Sequence, residues 1–177
     1  EGLRSYMRDH AYGNTQSDDL WGAIEAAGAP GLTEIAHDFT LQPGIPLVKL
    51  ESATCSAGVT RITLSQGEFS RDRMDEVAAN PQAWRVPLLL THGTGEGNRQ
   101  VLQGKATYSL KGCGPVIVNG GQLGYFRTLY TPEMLSSLTK GLPGFQPIDQ
   151  LGLLADNMAL AYSGYQPLGG ATDLLAA

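Results

Sequence analysis

The stretch Val116-Ile117-Val118-Asn119-Gly120-Gly121-Gln122-Leu123-Gly124-Tyr125-Phe126-Arg127-Thr128-Leu129-Tyr130 decides how the rest of the chain is read. The β-branched run Val116 to Val118 suits a pleated surface. Asn119, Gly120 and Gly121 tolerate positive φ, and Gly124 frees the backbone again before a second apolar run. The pattern predicts two short strands joined by a tight turn. In the second strand Tyr125 and Leu129 share one face, interrupted by the charge of Arg127, while Phe126 and Tyr130 share the other. Thr131-Pro132-Glu133 then ends the sheet, with Thr131 placed to cap a helix and Pro132 at its first position. A β module meets a helical module here.

Upstream, the period is 2 back to Ile45. Ile45 to Leu50 reads as a strand, Thr60, Ile62 and Leu64 alternate in a second, and Trp84, Val86, Leu88 and Leu90 in a third. Leu102, Ala106, Tyr108 and Leu110 line a longer run of one or two strands. The polar stretch from Phe69 to Gln82 reads as a surface loop or one helical turn. With Val116 to Tyr130 these make about seven short strands, the pattern of an antiparallel β-sandwich. Before Pro43 the period is helical. Leu3, Tyr6, Met7 and His10 share one face; Ser17 caps a second helix with Asp18 and Asp19 in its first turn; Leu32, Ile35, Ala36 and Phe39 mark a third. After Pro132, Met134, Leu135 and Leu138 form a helix. From Pro147 a second one is apolar almost all round, through Ile148, Leu151, Leu154, Ala155, Met158, Ala159 and Tyr162, and expects partners on more than one side. The expected fold is therefore mainly β with helical flanks.

At 177 residues and a net charge of −5, the chain can bury a good core and lacks the basic surface that nucleic acid or an anionic membrane requires. No apolar run reaches the length of a membrane span. The opening helical pattern has no cap, and Asp173-Leu174-Leu175 reads as a helix just beginning, so both ends are expected to be cuts through a longer protein. Cys55 and Cys113 read as unpaired, partly buried thiols; a disulfide between them would need an oxidising compartment.

Asn119, Gly124, Tyr125, Phe126, Arg127 and Tyr130 resemble the asparagine–glycine–aromatic–aromatic–arginine–x–x–tyrosine signature of the gluzincin zinc aminopeptidases of the alanyl and puromycin-sensitive type. Further landmarks fall in the same order as in that family. Gly2 to Tyr6, His10 to Asn14 and Asp19 to Trp21 resemble its last catalytic-domain helices. Gln42, Gly44 and Pro46 resemble the entry to its β-sandwich, with Ile45 in place of a tyrosine. Gln66 with Phe69, and Trp84 with Pro87 and Leu88, resemble its strands. Asp149, Leu151, Asp156, Ala159, Leu160, Ala161 and Gly164 resemble the start of its C-terminal helical domain, with Gln150 where an arginine is usual. The resemblance implies three parts: residues 1–43, the end of a catalytic domain; 44–131, a β-sandwich; and 132–177, the start of the C-terminal domain. It implies that the parent removes N-terminal residues from peptides with a zinc ion, and that the partners of this piece are the remaining domains of the same chain.

The family's zinc is held by two histidines of H-E-x-x-H and a downstream glutamate, because histidines four apart share a helix face. Here His10, His37 and His92 are far apart, and neighbouring His37 and Asp38 diverge on a helix. No catalytic, metal or substrate-binding residue is expected in this segment, and the zinc belongs to the parent. Gly93-Thr94-Gly95-Glu96-Gly97 lacks the lysine and strand-to-helix context of a phosphate loop and reads as a hairpin loop. Arg127 and Asp156 are charges in apolar runs. They are either substrate contacts or an ion pair fixing the junction, and the rule that buried charges are paired favours the second. The candidate junction residues are Asn119, Gly124, Tyr125, Arg127, Tyr130 and Asp156. Two other classes fit the strands: a stand-alone β-sandwich interaction or adhesion module, and a non-catalytic peptidase paralogue used for assembly.

Overall fold

The computed structural model describes residues 1–93 and 97–177; of the glycine-rich loop expected as a hairpin, Thr94, Gly95 and Glu96 lie outside the described residues. The chain divides into two compact units, Glu1–Pro43 and Gly44–Ala177.

The first unit is three helices: α1 (Gly2–Asp9), α2 (Ser17–Ala26) and α3 (Leu32–Thr40). Helix α2 starts one residue earlier than a Ser17 cap implies. Gln16 is the cap, and its N–H donates to the Asp19 carboxylate at 2.8 Å. Gly2 is buried against the backbone of α2, where a Cβ would lie 2.5 Å from Ile24 Cα. Leu3 and Met7, on the apolar face that the spacing gives α1, are exposed. The Glu25 carboxylate accepts from the N–H groups of Gly31 and Thr33, both at 3.0 Å, and so satisfies the open N-terminus of α3. The Thr33 hydroxyl, which donates to the same carboxylate, and these two bonds hold the Glu25 carboxyl below the usual range.

The second unit is mixed α/β. Its strands are β1 (Ile45–Ser56), β2 (Val59–Phe69), β3 (Val86–Leu90), β4 (Asn98–Leu102), β5 (Lys105–Lys111) and β6 (Arg127–Tyr130). They form a four-stranded sheet in the order β5-β2-β1-β6 and a two-stranded sheet of β3 and β4. This corrects the expected antiparallel sandwich of about seven strands. Among the described residues there are six, and β6 lies parallel to β1, with Leu47 opposite Arg127 and Leu50 opposite Tyr130. Val116 to Val118 is not the hairpin partner of β6. Ile117 bridges Thr91 and Asn119 bridges Leu89, so this run extends the second sheet.

The period-2 reading places the core well. Leu47, Val48, Leu50, Ile62, Leu64, Trp84, Val86, Leu88, Leu90 and Leu102 are all buried, and each large apolar side chain removed from water contributes about 1.5–3 kcal/mol. Strand β1 runs six residues beyond its expected end because β2 carries it along as a hairpin partner. The polar stretch after β2 contains a short helix, α4 (Met74–Ala79), anchored by buried Val77.

The cysteine expectation also requires correction. Cys55 and Cys113 form a disulfide with their Cα atoms 5.6 Å apart. Strand pairing brings them together: β1 turns into β2 at Ala57-Gly58, and Gly112 N–H donates to Gly58 O at 2.7 Å.

Three helices complete the unit: α5 (Pro132–Gly141), α6 (Pro147–Tyr162) and α7 (Leu168–Ala176). Thr131 caps α5 as its sequence predicts, accepting from Met134 N–H, with Pro132 next. Helix α7 is under way before Asp173, where a helix was expected to begin. No described helix is long and apolar enough to cross a membrane.

Candidate functional site: the sheet-to-helix junction

The turn after Val118 is closed by a side chain. Asn119 Nδ2 donates to Gly124 O at 2.9 Å, and Asn119 Oδ1 accepts from Gly124 N–H at 2.8 Å. This amide clamp, together with positive φ at Gly121 and Gln122, folds the residues between into a compact loop instead of a hairpin turn. Gly124 cannot carry a side chain, since a Cβ would run into the Phe126 ring. From Phe126 to Tyr130 the expected alternation holds: Phe126, Thr128 and Tyr130 are buried. Tyr125 is exposed and is not drawn into the cluster.

Helix α6 meets this loop and strand with acids. Asp149 and Asp156 are seven residues apart, two helical turns on one face, and both are buried. Asp149 Oδ1 accepts from Gly121 N–H at 2.6 Å. Asp156 Oδ1 accepts from Arg127 Nη1 at 2.8 Å and its Oδ2 from Thr128 N–H at 3.0 Å. Because β6 ends the sheet, Asp156 occupies an edge N–H that would otherwise be open. Burial pushes the Asp156 carboxyl above the usual carboxylate range, against the pull of Arg127 and the Thr128 N–H. Tyr130 OH accepts from Val118 N–H at 3.1 Å. Burial drives that phenol far up, so it stays neutral at any ordinary pH.

The sequence reads α6 as apolar almost all round, and the structure gives it distinct inner and outer sides. Its inward face is Asp149, Gly152, Leu153, Asp156, Asn157 and Leu160, whereas Ile148, Leu151 and Tyr162 are 48%, 61% and 74% exposed. Gly152 leaves room for the Gln122 side chain, which sits where a Cβ would be. Asn157 Oδ1 accepts from Gln166 Nε2 at 2.8 Å. Gln150, at the position of the resembled family's arginine, donates to the carbonyls of Leu142 and Phe145, both at 3.0 Å.

Sequence reasoning singled out Asn119, Gly124, Tyr125, Arg127, Tyr130 and Asp156; in the structure Asn119 bonds Gly124, Arg127 bonds Asp156, Tyr130 OH accepts from Val118 N–H, and Tyr125 stays exposed. It gave no role to Asp149, although the seven-residue spacing to Asp156 was there to be read.

Among the described residues the donor chemistry does not fit a zinc ion. His37 Nε2 lies 2.7 Å from Asp18 Oδ1, and His92 Nδ1 lies 3.1 Å from Pro115 O. No three His, Cys, Asp or Glu side chains among the described residues come together as a metal site.

Comparison with known proteins supplies the family. Residues 115–177 match the family model described as ERAP1-like C-terminal domain. The chain is 30% identical over 166 residues to an alanine/arginine aminopeptidase of Saccharomyces cerevisiae, covering 93% of this chain and 19% of the relative. It is 29% identical to a puromycin-sensitive aminopeptidase of Caenorhabditis elegans, covering 93% and 18%. To tricorn protease-interacting factor F2 of Thermoplasma volcanium it is 28% identical, covering 93% and 19%. The chain spans about a fifth of the length of the curated relatives it matches. By this likeness, it belongs to the gluzincin, or M1, aminopeptidase family of the alanyl and puromycin-sensitive type.

Proposed function

We propose that this segment is a structural spacer in a zinc aminopeptidase, setting the distance and angle between a catalytic domain and a C-terminal helical domain. Residues 1–43 are then the end of the catalytic domain, 44–131 the β domain and 132–177 the start of the helical domain. The parent removes N-terminal residues from peptides with a zinc ion bound outside this segment. One observation carries the reading: Asp149 and Asp156 of α6 both commit oxygens to backbone N–H groups of the loop and strand they face. Carboxylates bonded in this way orient a helix on a sheet and are not free to act on a substrate. Asn119, Arg127 and Tyr130 serve the same joint, with Gly124 and Tyr125 completing its turn. The outward apolar side of α6, with Ile148 and Leu151 exposed, supports a role in which further protein covers it.

The test is direct. The purified 177-residue chain is expected to bind zinc only substoichiometrically and to leave amino-acid anilides intact. Turnover that follows the protein through re-purification and is lost to a chelator would overturn the reading. In the parent, Asp156→Ala is expected to lower kcat/KM while leaving zinc content unchanged.

A further inference from the structure

A cavity of about 480 Å³ opens where the end of β2 meets the last turn of α6, lined by Phe69, Arg71, Arg127, Ala159, Tyr162 and Ser163. Two of its six lining residues are arginines and none is an acid. Arg127 is held from two sides. Asp156 anchors Nη1 at 2.8 Å, and the guanidinium carbon stands 5.9 Å from the Phe69 ring centroid. That ring is itself fixed against Tyr165, centroid to centroid 5.4 Å. A planar cation positioned in advance loses little freedom when it binds. Arg71 is exposed, and among the described residues it meets no acidic partner. Ser163 Oγ is buried with no hydrogen-bond partner.

The C-terminal end of a helix ordinarily repels an anion. Here three of its last carbonyls are occupied: Ala159 O accepts from Ser163 N–H at 3.1 Å, Leu160 O from Tyr165 N–H at 2.9 Å and Ala161 O from Gly164 N–H at 3.1 Å. Both oxygens of Asp156 are likewise engaged. The unmatched charge at the mouth of the cavity is positive, in a chain whose net charge is −5.

We propose that this cavity binds an organic carboxylate, its charge bridging Arg71 and Arg127 and its apolar body resting against Phe69 and Tyr162. Carboxylate suits the site better than phosphate. Its planar pair of oxygens matches a guanidinium fork, whereas the extra oxygens and charge of a phosphate would face Phe69 and Ala159. The inference stands apart from the spacer reading, since neither needs the other.

Phenylacetate titrated into the isotope-labelled 177-residue protein tests it, with phenylacetamide as the neutral analogue of the same shape. Saturable amide shifts confined to residues 69–71, 127–128 and 159–165 are expected, with a Kd of about 1 mM or tighter. The amide should bind about tenfold more weakly, the loss that follows removal of a charge-assisted contact. Arg71→Ala should weaken phenylacetate to a similar degree while the fold is retained, and Arg71→Lys should restore part of the loss. Absence of saturation by about 10 mM, equal binding of acid and amide, or an Arg71→Ala variant that binds as before would each overturn the proposal.

Discussion

The two halves of β1 are one strand held by different means. Leu47, Val48 and Leu50 are buried, and this half has β2 on one side and β6 on the other. Glu51 to Ser56 are exposed, and Ser52 to Ser56 pair with β2 alone. The register shifts between Leu50 and Ser52, so the border between the halves is built into the ladder as an irregularity. Beyond it the sheet is tied by side chains. Glu51 takes a hydrogen bond from Ser65 at 2.6 Å and an ion pair from Lys105, and Cys55 is bonded to Cys113. Where apolar burial stops, a covalent link and polar ties take over the work of keeping a long strand in place.

This contrast can be broken from either side. The largest effect is expected at the buried half, through its outer neighbour β6. Asp156→Ala leaves Arg127 unpaired and the Thr128 N–H without an acceptor, and should cost about 3–5 kcal/mol in urea unfolding. Opening the disulfide with Cys55→Ser and Cys113→Ser should cost about 2–4 kcal/mol. Its signature differs, because amide exchange should accelerate around residues 52–60 while residues 47–50 keep their protection. Equal acceleration in both halves would show that they are one cooperative unit. Tyr130→Phe removes the acceptor for buried Val118 N–H and should cost about 1–3 kcal/mol without exposing apolar surface. Glu51→Gln, at the exposed half, should change stability by less than about 1 kcal/mol, since its lysine partner is well solvated.

The smallest expected effect is one of pH. Burial holds the native Asp156 carboxyl above its unfolded value of about 3.9. The native state then binds that proton more tightly than the unfolded chain. The contribution of the group is fully present below about pH 4 and is lost as pH rises through the native value. Comparison of the wild type with Asp156→Asn by urea midpoints across this range should show the wild-type advantage shrinking as pH rises. An advantage that grows would place Arg127 above burial as the dominant influence on the acid.

What the sequence made legible was local. Thr131 and Pro132 announce α5, alternation identifies the buried positions of β2 and β3, and glycine with proline marks where α2 and α3 stop. Apart from small shifts such as the cap at Gln16 and the start of α7, the unread features are mostly non-local. Nothing near Val116 or Arg127 states that the second run will lie parallel to a strand far upstream, because that choice is made when Asn119 clamps Gly124 and α6 captures Thr128. The choice between free thiols and a disulfide was beyond the sequence for the same reason: β2 stands between β1 and β5, and that order brings residue 113 close to residue 55. Helix α6 misled through its composition. Its apolar residues run almost all round and so mark no single inner face, yet the sheet side required acceptors for backbone N–H groups, and Asp149 and Asp156 filled that need. At the candidate site the signature residues could be picked out from the sequence and the second helical acid could have been, from its spacing to Asp156; the arginine-lined cavity beside them could not.

The parallel seat of β6 also sets an order of events during folding. The β1–β2 hairpin closes over the two residues Ala57 and Gly58, so it can form as soon as its own strands exist. Residues 47–50 must wait for residues 127–130, and the chain between them has to be gathered before that contact is rewarded. The joint that orients the helices is therefore among the last parts of the sheet to be made, and a nascent chain released before Tyr130 would carry the hairpin without its finishing strand.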